Sequence, residues 1–337
     1  MRWDELYIAG TGTALPGRIT AARAVAEGRY PREWWEQGGM ISVCAADDGQ
    51  TPLDLALVAA RRALDGSGLR PDDVGLLLHS SVLSALPEMW NPVNALQRRL
   101  AVPGDAFASE VRAASDGGMA SLELAAAHLA VRPPGPLALL TAGDIWPASR
   151  INRWNYRPAV FGDGAAALVL SRAEGFARVL ATTTSSDPEL EGMSRGDEPI
   201  RPPGPPGDVI DLDRRAHEFM AEFGRERLFE RFTRGTTRTV HAVLADAGLG
   251  VDDIDRVITI NACQDRLRTL LRDIAPQWGL DRSLWLFGRT VGHLGPADQF
   301  AGLDHLRRSG ATRPGQHVLL LSMGLGWLCT CAVIRIL

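Results

Sequence analysis

Apolar residues fall along this chain in two rhythms. Short unbroken apolar runs, at Leu6–Ala9, Gly75–Ser80, Ala106–Val111, Leu137–Ala142 and Ala165–Ser171, predict strands. Between them, apolar positions at helical spacing predict helices such as Pro52–Gly66 and Met119–Val131. Strands without polar alternation need cover on both faces, so the expected class is α/β, with a parallel or mixed sheet sandwiched by helices.

The pattern then repeats. GLRPDDVGLL (68–77) returns as GLGVDDIDRV (248–257), an offset of 180 residues. MASLELAAAHLAVRPPGPLALLTAG (119–143) matches FAGLDHLRRSGATRPGQHVLLLSMG (300–324) with one residue of slack, and Pro134-Gly135 meets Pro314-Gly315 at the same offset. Two blocks at nearly one spacing predict an internal duplication. The halves are expected at 1–172 and 173–337, with the Pro/Gly-rich MSRGDEPIRPPGPPGD (193–208) on the surface, at a substrate mouth.

Composition narrows the function. The chain of 337 residues is 45% hydrophobic and 23% charged, with a net charge of −4, so no basic face for nucleic acid is expected. No apolar run reaches the roughly 20 residues of a membrane span, and Met1–Gly10 lacks a signal-peptide layout; the expected location is cytoplasmic. Cys44, Cys263, Cys329 and Cys331 are too scattered for a disulfide framework or a CxxC metal site. All 36 Lys+Arg residues are arginine, which excludes a Walker A loop and lysine Schiff-base chemistry, pyridoxal phosphate included. GTGTALPG (10–17) lacks the third glycine of a dinucleotide fingerprint and carries Pro16 where the helix should continue.

The stretch EVRAASDGGMAS (110–121) sets Ser115 between a predicted strand and a predicted helix. Serine there is commonly a plain helix cap. The duplication pairs its loop with GRTVGHLGPADQ (288–299), which carries His293 and Asp298. Either residue alone is ordinary: a loop histidine, and an aspartate capping the next helix. Paired loops brought together by two like halves would make Ser115 a nucleophile, His293 its base and Asp298 the group that orients the imidazole. The free N–H groups of the helix after Ser115 would face the developing oxyanion, which suits acyl transfer.

These residues resemble the thiolase-fold β-ketoacyl-ACP synthase III family over nearly the whole chain. The likeness rests on GTGTALP, the PDD turn, RAASDGGMASLELA (112–125), TAGD (141–144), FGDGAAALVL (161–170) and SMGLGW (322–327), read as a glycine-bearing last strand. GHLGPADQFAGL (292–303) is similar to the acyltransferase and starter-unit branch of natural-product, including polyketide and antibiotic, biosynthesis. The resemblance implies two duplicated halves in a five-layer α-β-α-β-α arrangement, a homodimer, and no tightly bound cofactor. Its substrates would be acyl-CoA or phosphopantetheinyl acyl carrier protein, with a small-molecule or carrier acceptor.

Departures fall on the family's catalytic set. Ser115 stands where its motif has cysteine, Asn261 where it has histidine, and His293 where it has asparagine. A Cys-His-Asn set is thereby replaced by Ser-His-Asp, which resembles both the acyltransferase branch with a Cys-His-Asp triad and the serine-bearing starter-unit enzymes of anthracycline pathways. The resemblance further implies oxyanion donors at the backbone N–H of Ser115 and Leu325, and active-site lining by Asn261. Arg150, Arg153 and Arg157 around Trp154 would form a phosphate-receiving mouth or be merely solvated loop residues. Met89 and Trp90 would set acyl size across the dimer or be interface core. The expected activity is a Ser-His-Asp acyltransferase; a starter-unit condensing enzyme and a catalytically silent partner subunit are the rivals.

Overall fold

The computed structural model describes residues 1–83, 87, 89–200 and 209–337. Glu88 and the stretch 201–208 of the Pro/Gly-rich segment therefore lie outside the described residues.

In chain order the first half holds β1 (Tyr7–Ala14), β2 (Arg18–Thr20), α1 (Ala21–Ala26), α2 (Arg32–Gly38), β3 (Ser42–Cys44), α3 (Pro52–Ser67), β4 (Val74–Ser80), α4 (Pro92–Leu100), β5 (Phe107–Glu110), α5 (Gly117–Ala130), β6 (Leu137–Asp144) and β7 (Gly164–Ser171). The second holds β8 (Ala177–Ser186), α6 (Leu212–Phe223), α7 (Arg225–Ala247), β9 (Arg256–Ile258), α8 (Gln264–Ile274), α9 (Trp285–Val291), α10 (Asp298–Ser309), β10 (His317–Gly324) and β11 (Leu328–Ile336).

The strands run in the order β5-β4-β6-β7-β1-β8-β11-β10-β9. Away from the β1/β8 junction the sequence reads alike in both directions: β1, β7, β6, β4 on one side and β8, β11, β10, β9 on the other. Within each set the long antiparallel pairs and the parallel β4/β6 and β9/β10 pairs correspond. Between β1 and β8 the pairs Tyr7↔Arg178 and Ile8↔Ala177 join the two sets, beside an isolated bridge between Arg2 and Ala181. The duplicated α/β architecture read from the sequence is thus the observed one, with β5 added to the first half.

Apolar clusters define the layers. α3 covers the outer face of the first strand set through Ala56, Ala59, Ala60 and Ala63, and α7 with α8 covers the second through Val240, Val243, Leu267 and Leu271. Between the sets lie α5 and α10, where Met119, Leu122, Phe300 and Leu303 meet inward residues of both, such as Leu78, Leu140, Leu320 and Ile334. Each such fully buried side chain contributes roughly 1.5–3 kcal/mol of hydrophobic stabilisation. The layer order is therefore α3, strands, α5/α10, strands, α7.

Two elements differ from the sequence reading. β1 extends from the expected Leu6–Ala9 through GTGTA: a Cβ at Gly10 or Gly12 would lie 2.1 Å from the Ala63 carbonyl oxygen or 2.3 Å from that of Ala59, so these glycines let α3 lie directly on the strand. SMGLGW is strand only over Ser322–Gly324, the end of β10, and Leu325–Trp327 form a turn. Gly326 and Trp327 have φ of 76° and 54°, and the left-handed backbone there turns β10 into β11. Of the Pro/Gly-rich segment, Glu198 pairs with Arg214 and Arg215 of α6, and Ile200 is exposed. No helix of the described residues is long and apolar enough to cross a membrane.

Candidate active site

Ser115 does not cap α5. The helix begins after Asp116, whose side chain makes no capping bond either. Instead the Ser115 hydroxyl lies 2.8 Å from Nε2 of His293, although 178 residues separate the two. Nδ1 of His293 lies 2.6 Å from Oδ2 of Asp298. The carboxylate accepts a hydrogen bond from Nδ1–H, which keeps the proton on Nδ1 and leaves Nε2 as an acceptor for the serine hydroxyl. Ser115, His293 and Asp298 are all buried.

The backbone enforces this meeting. Ala114, just before Ser115, has φ of 47°, a left-handed conformation that costs a non-glycine residue about 1–2 kcal/mol. The resulting tight turn projects the serine. Opposite, the residues 295–297 before α10 press against the start of α5: a Cβ at Gly118 would lie 2.2 Å from the Pro296 carbonyl oxygen. Position 118 therefore admits no side chain at this approach. His293 is fixed on its own side by exchange of backbone bonds with Val160 and Gly162.

Asp298 likewise caps nothing. Four donors converge on it: His293 Nδ1, the Asn261 N–H at 2.7 Å, Asn261 Nδ2 at 2.7 Å and the Leu294 N–H at 2.8 Å. Asn261 Nδ2 also donates to the Gly292 carbonyl at 2.9 Å, so both amide protons are engaged. Asn261 was expected as lining; its grip on Asp298 was not legible, because the two are 37 residues apart in sequence.

The strand set of the second half reaches the Ser115 turn. Ser322 Oγ donates to the Ser115 carbonyl at 3.1 Å, and Gly324 lies against the Ala113 carbonyl and Asp116. Leu325, the expected second oxyanion donor, follows at once and packs into a small apolar cluster of Trp146, Ile151, Phe161 and Leu212. The Phe161 ring centre is 5.6 Å from that of His293, with Tyr156 stacked on Phe161 and Trp146 tilted against it. An apolar wall at the imidazole excludes water and suits an acyl chain. The sequence marked Phe161 only as part of a fold motif. Asp163 of that motif explains its rigidity, accepting from the N–H groups of Ala46 and Trp146 and pairing with Arg153.

That pairing corrects the expected mouth. Arg153 is spent on Asp163 and on the carbonyls of Cys44 and Trp146. Trp154 is 1% exposed and packs on Tyr30 in the core. Neither can receive a phosphate at the surface. Arg150 and Arg157 are exposed, the latter bonded to Gln37. Met89 and Trp90 are exposed on the single chain. A cavity of about 510 Å³ opens elsewhere, between Arg18 and Arg308, with no triad residue in its walls.

Comparison with known proteins gives the context. Residues 244–336 match the C-terminal domain of 3-oxoacyl-[acyl-carrier-protein (ACP)] synthase III. The β-ketoacyl-[acyl-carrier-protein] synthase III of Rhizorhabdus wittichii is 30% identical over 97% of this chain and 98% of its own length. That of Sphingopyxis alaskensis is 31% identical over 97% and 98%. Among solved structures, ChlB3, described as an acyltransferase, superposes with a TM-score of 0.93 at 35% identity and 98% coverage of both chains. Likeness of this extent in both sequence and architecture means that the chain belongs to the thiolase-fold β-ketoacyl-[acyl-carrier-protein] synthase III family.

Proposed function

We propose that this protein is an acyltransferase that carries its acyl group as an ester on Ser115. The observation that carries the reading is the continuous line Ser115 Oγ, His293, Asp298 at 2.8 and 2.6 Å. His293 takes the serine proton as Oγ attacks the thioester carbonyl of an acyl-CoA or acyl carrier protein. The tetrahedral oxyanion is received by the Ser115 and Leu325 N–H groups and the start of α5. His293 then returns the proton to the departing thiolate, and the cycle runs in reverse with a hydroxyl, amine or carrier thiol as acceptor.

Asn261 favours transfer over condensation. Decarboxylation of a malonyl thioester requires donors free to meet an enolate, and both Asn261 amide protons are already given to Asp298 and Gly292. Similarity to ChlB3, described as an acyltransferase, supports the same reading; a place in natural-product biosynthesis is part of the proposal. A homodimer and a cytoplasmic location belong to the proposal, with Met89, Trp90 and the Phe107 edge of β5 as the surface a second copy would cover. The test is intact-mass measurement after incubation with a panel of short acyl-CoAs and acyl carrier proteins. One acyl increment, absent in Ser115→Ala, supports the nucleophile; no increment with any donor would leave the silent-partner reading. Labelled carbon dioxide released on adding malonyl carrier protein would establish condensation instead.

A further inference from the structure

Directly after the nucleophile stands a carboxyl group that the proposed reaction does not use. Asp116 is 0% exposed, and its side chain turns away from the free N–H groups of α5 toward β11 in the other half. There Oδ2 lies 2.6 Å from Thr330 Oγ1, and Oδ1 accepts the Thr330 N–H at 3.1 Å. The contacts continue outward. Thr330 Oγ1 lies 2.9 Å from Thr184 Oγ1, which lies 2.9 Å from Glu123 Oε2 at the surface.

A count of protons decides the state of this chain. Three contacts, Asp116–Thr330, Thr330–Thr184 and Thr184–Glu123, each require one proton, and the two hydroxyls supply only two. The third must sit on one of the two carboxyls. Charge is cheaper on the partly exposed Glu123 than on Asp116, which is wholly removed from water.

We propose that Asp116 is a positioning residue that works as a neutral acid, donating to Thr330 in a chain Asp116–Thr330–Thr184–Glu123 that fastens the nucleophile turn to β11. The inference rests on Ser115 being the nucleophile. A neutral Asp116 leaves the positive end of α5 unquenched for the oxyanion, and holds the β10–β11 turn carrying Leu325 against it. Ionised, it would place a buried negative charge one residue from the developing oxyanion. Burial pushes the Asp116 carboxyl up to about 7, against the opposing pull of the Thr330 and Ser322 contacts. The titratable groups facing it are Glu123 on its own helix, whose charge raises it further, and Cys331 on β11 with Cys329 beside it; burial raises the Cys331 thiol, keeping it neutral.

The test is infrared spectroscopy of carbon-13-aspartate-labelled protein from about pH 5 to about pH 9, a window spanning the titration. A protonated-carboxyl band that disappears in Asp116→Asn and titrates near neutrality is expected. Its absence from the difference spectrum at every pH would overturn the proposal. Glu123→Gln, on the surface, removes a negative neighbour and should move the band's midpoint to lower pH; an unmoved midpoint also counts against the chain. Acylation of the parent should fall about tenfold per pH unit above the midpoint, and Asp116→Asn should lose that alkaline limb. The band is also read in Ser115→Ala, so a titrating carboxyl without any acyl adduct in the parent would reject the nucleophile and leave the neutral acid standing.

Discussion

Asn261 holds Asp298 twice, with its backbone N–H and its side-chain amide each 2.7 Å from a different carboxylate oxygen. The position where the resemblance implies a histidine in the family thus holds here the carboxylate that faces Nδ1 of His293. Truncation to alanine removes a hydrogen bond to a charged group, about 1.5–3 kcal/mol. Asn261→Ala should therefore slow acylation by about 10- to 150-fold while leaving the melting temperature within a few degrees. Single-turnover acylation followed by mass checks this; an unchanged rate would remove Asn261 from the mechanism.

His293→Ala and Asp298→Asn should each slow acylation by about a thousandfold or more, the first by removing the base and the second by releasing the imidazole tautomer. In Asp298→Asn, the imidazole should also lose its fixed Nδ1–H, visible as a changed nitrogen-15 shift pattern of the His293 ring.

Ser115→Cys should convert the adduct from an oxygen ester to a thioester. Neutral hydroxylamine would then strip the acyl group from the variant at least about tenfold faster than from the parent, because thiolate is the better leaving group. Equal lability would mean that the parent adduct is not on Ser115.

Stability should depend on pH through Asp116. Its folded carboxyl keeps the proton to about 7, whereas an unfolded aspartate releases it near 4. The contribution is complete below about pH 4 and lost as the pH rises toward 7, since the unfolded chain ionises first. Asp116→Asn cannot ionise, so it should gain on the parent across that window, by on the order of 3–4 kcal/mol at most. Denaturant unfolding at a series of pH values measures the difference; a constant gap would mean the folded carboxyl is ionised throughout.

Gly118→Ala should destabilise the protein by about 2 kcal/mol or more and slow acylation as well, because the added methyl must push Pro296 away from α5. A variant that lost stability but kept its acylation rate would show that this contact does not set the triad.

The sequence showed the duplication, the layer pattern and the three triad positions, because those are carried by local rhythm and by one repeated offset. It missed what depends on contacts between distant stretches. Asn261 read as active-site lining with no link to Asp298, and nothing local marked Asp116. Trp154 and Arg153 were misplaced for a related reason: an aromatic among arginines reads as surface, and nothing local shows that Asp163 claims the guanidinium. SMGLGW misled because left-handed Trp327 violates the usual preference for glycine at such a turn.

The near-mirrored strand order has a mechanical consequence. Ser115 and His293 lie on opposite sides of the β1/β8 junction, where those strands share the pairs Tyr7↔Arg178 and Ile8↔Ala177 beside the isolated Arg2–Ala181 bridge, so the two side chains sit astride the plane along which a crack would run. Their spacing works as a strain gauge. Denaturant too dilute to change the far-ultraviolet dichroism should already abolish acylation, and turnover would then report cohesion between the halves before any helix or strand is lost.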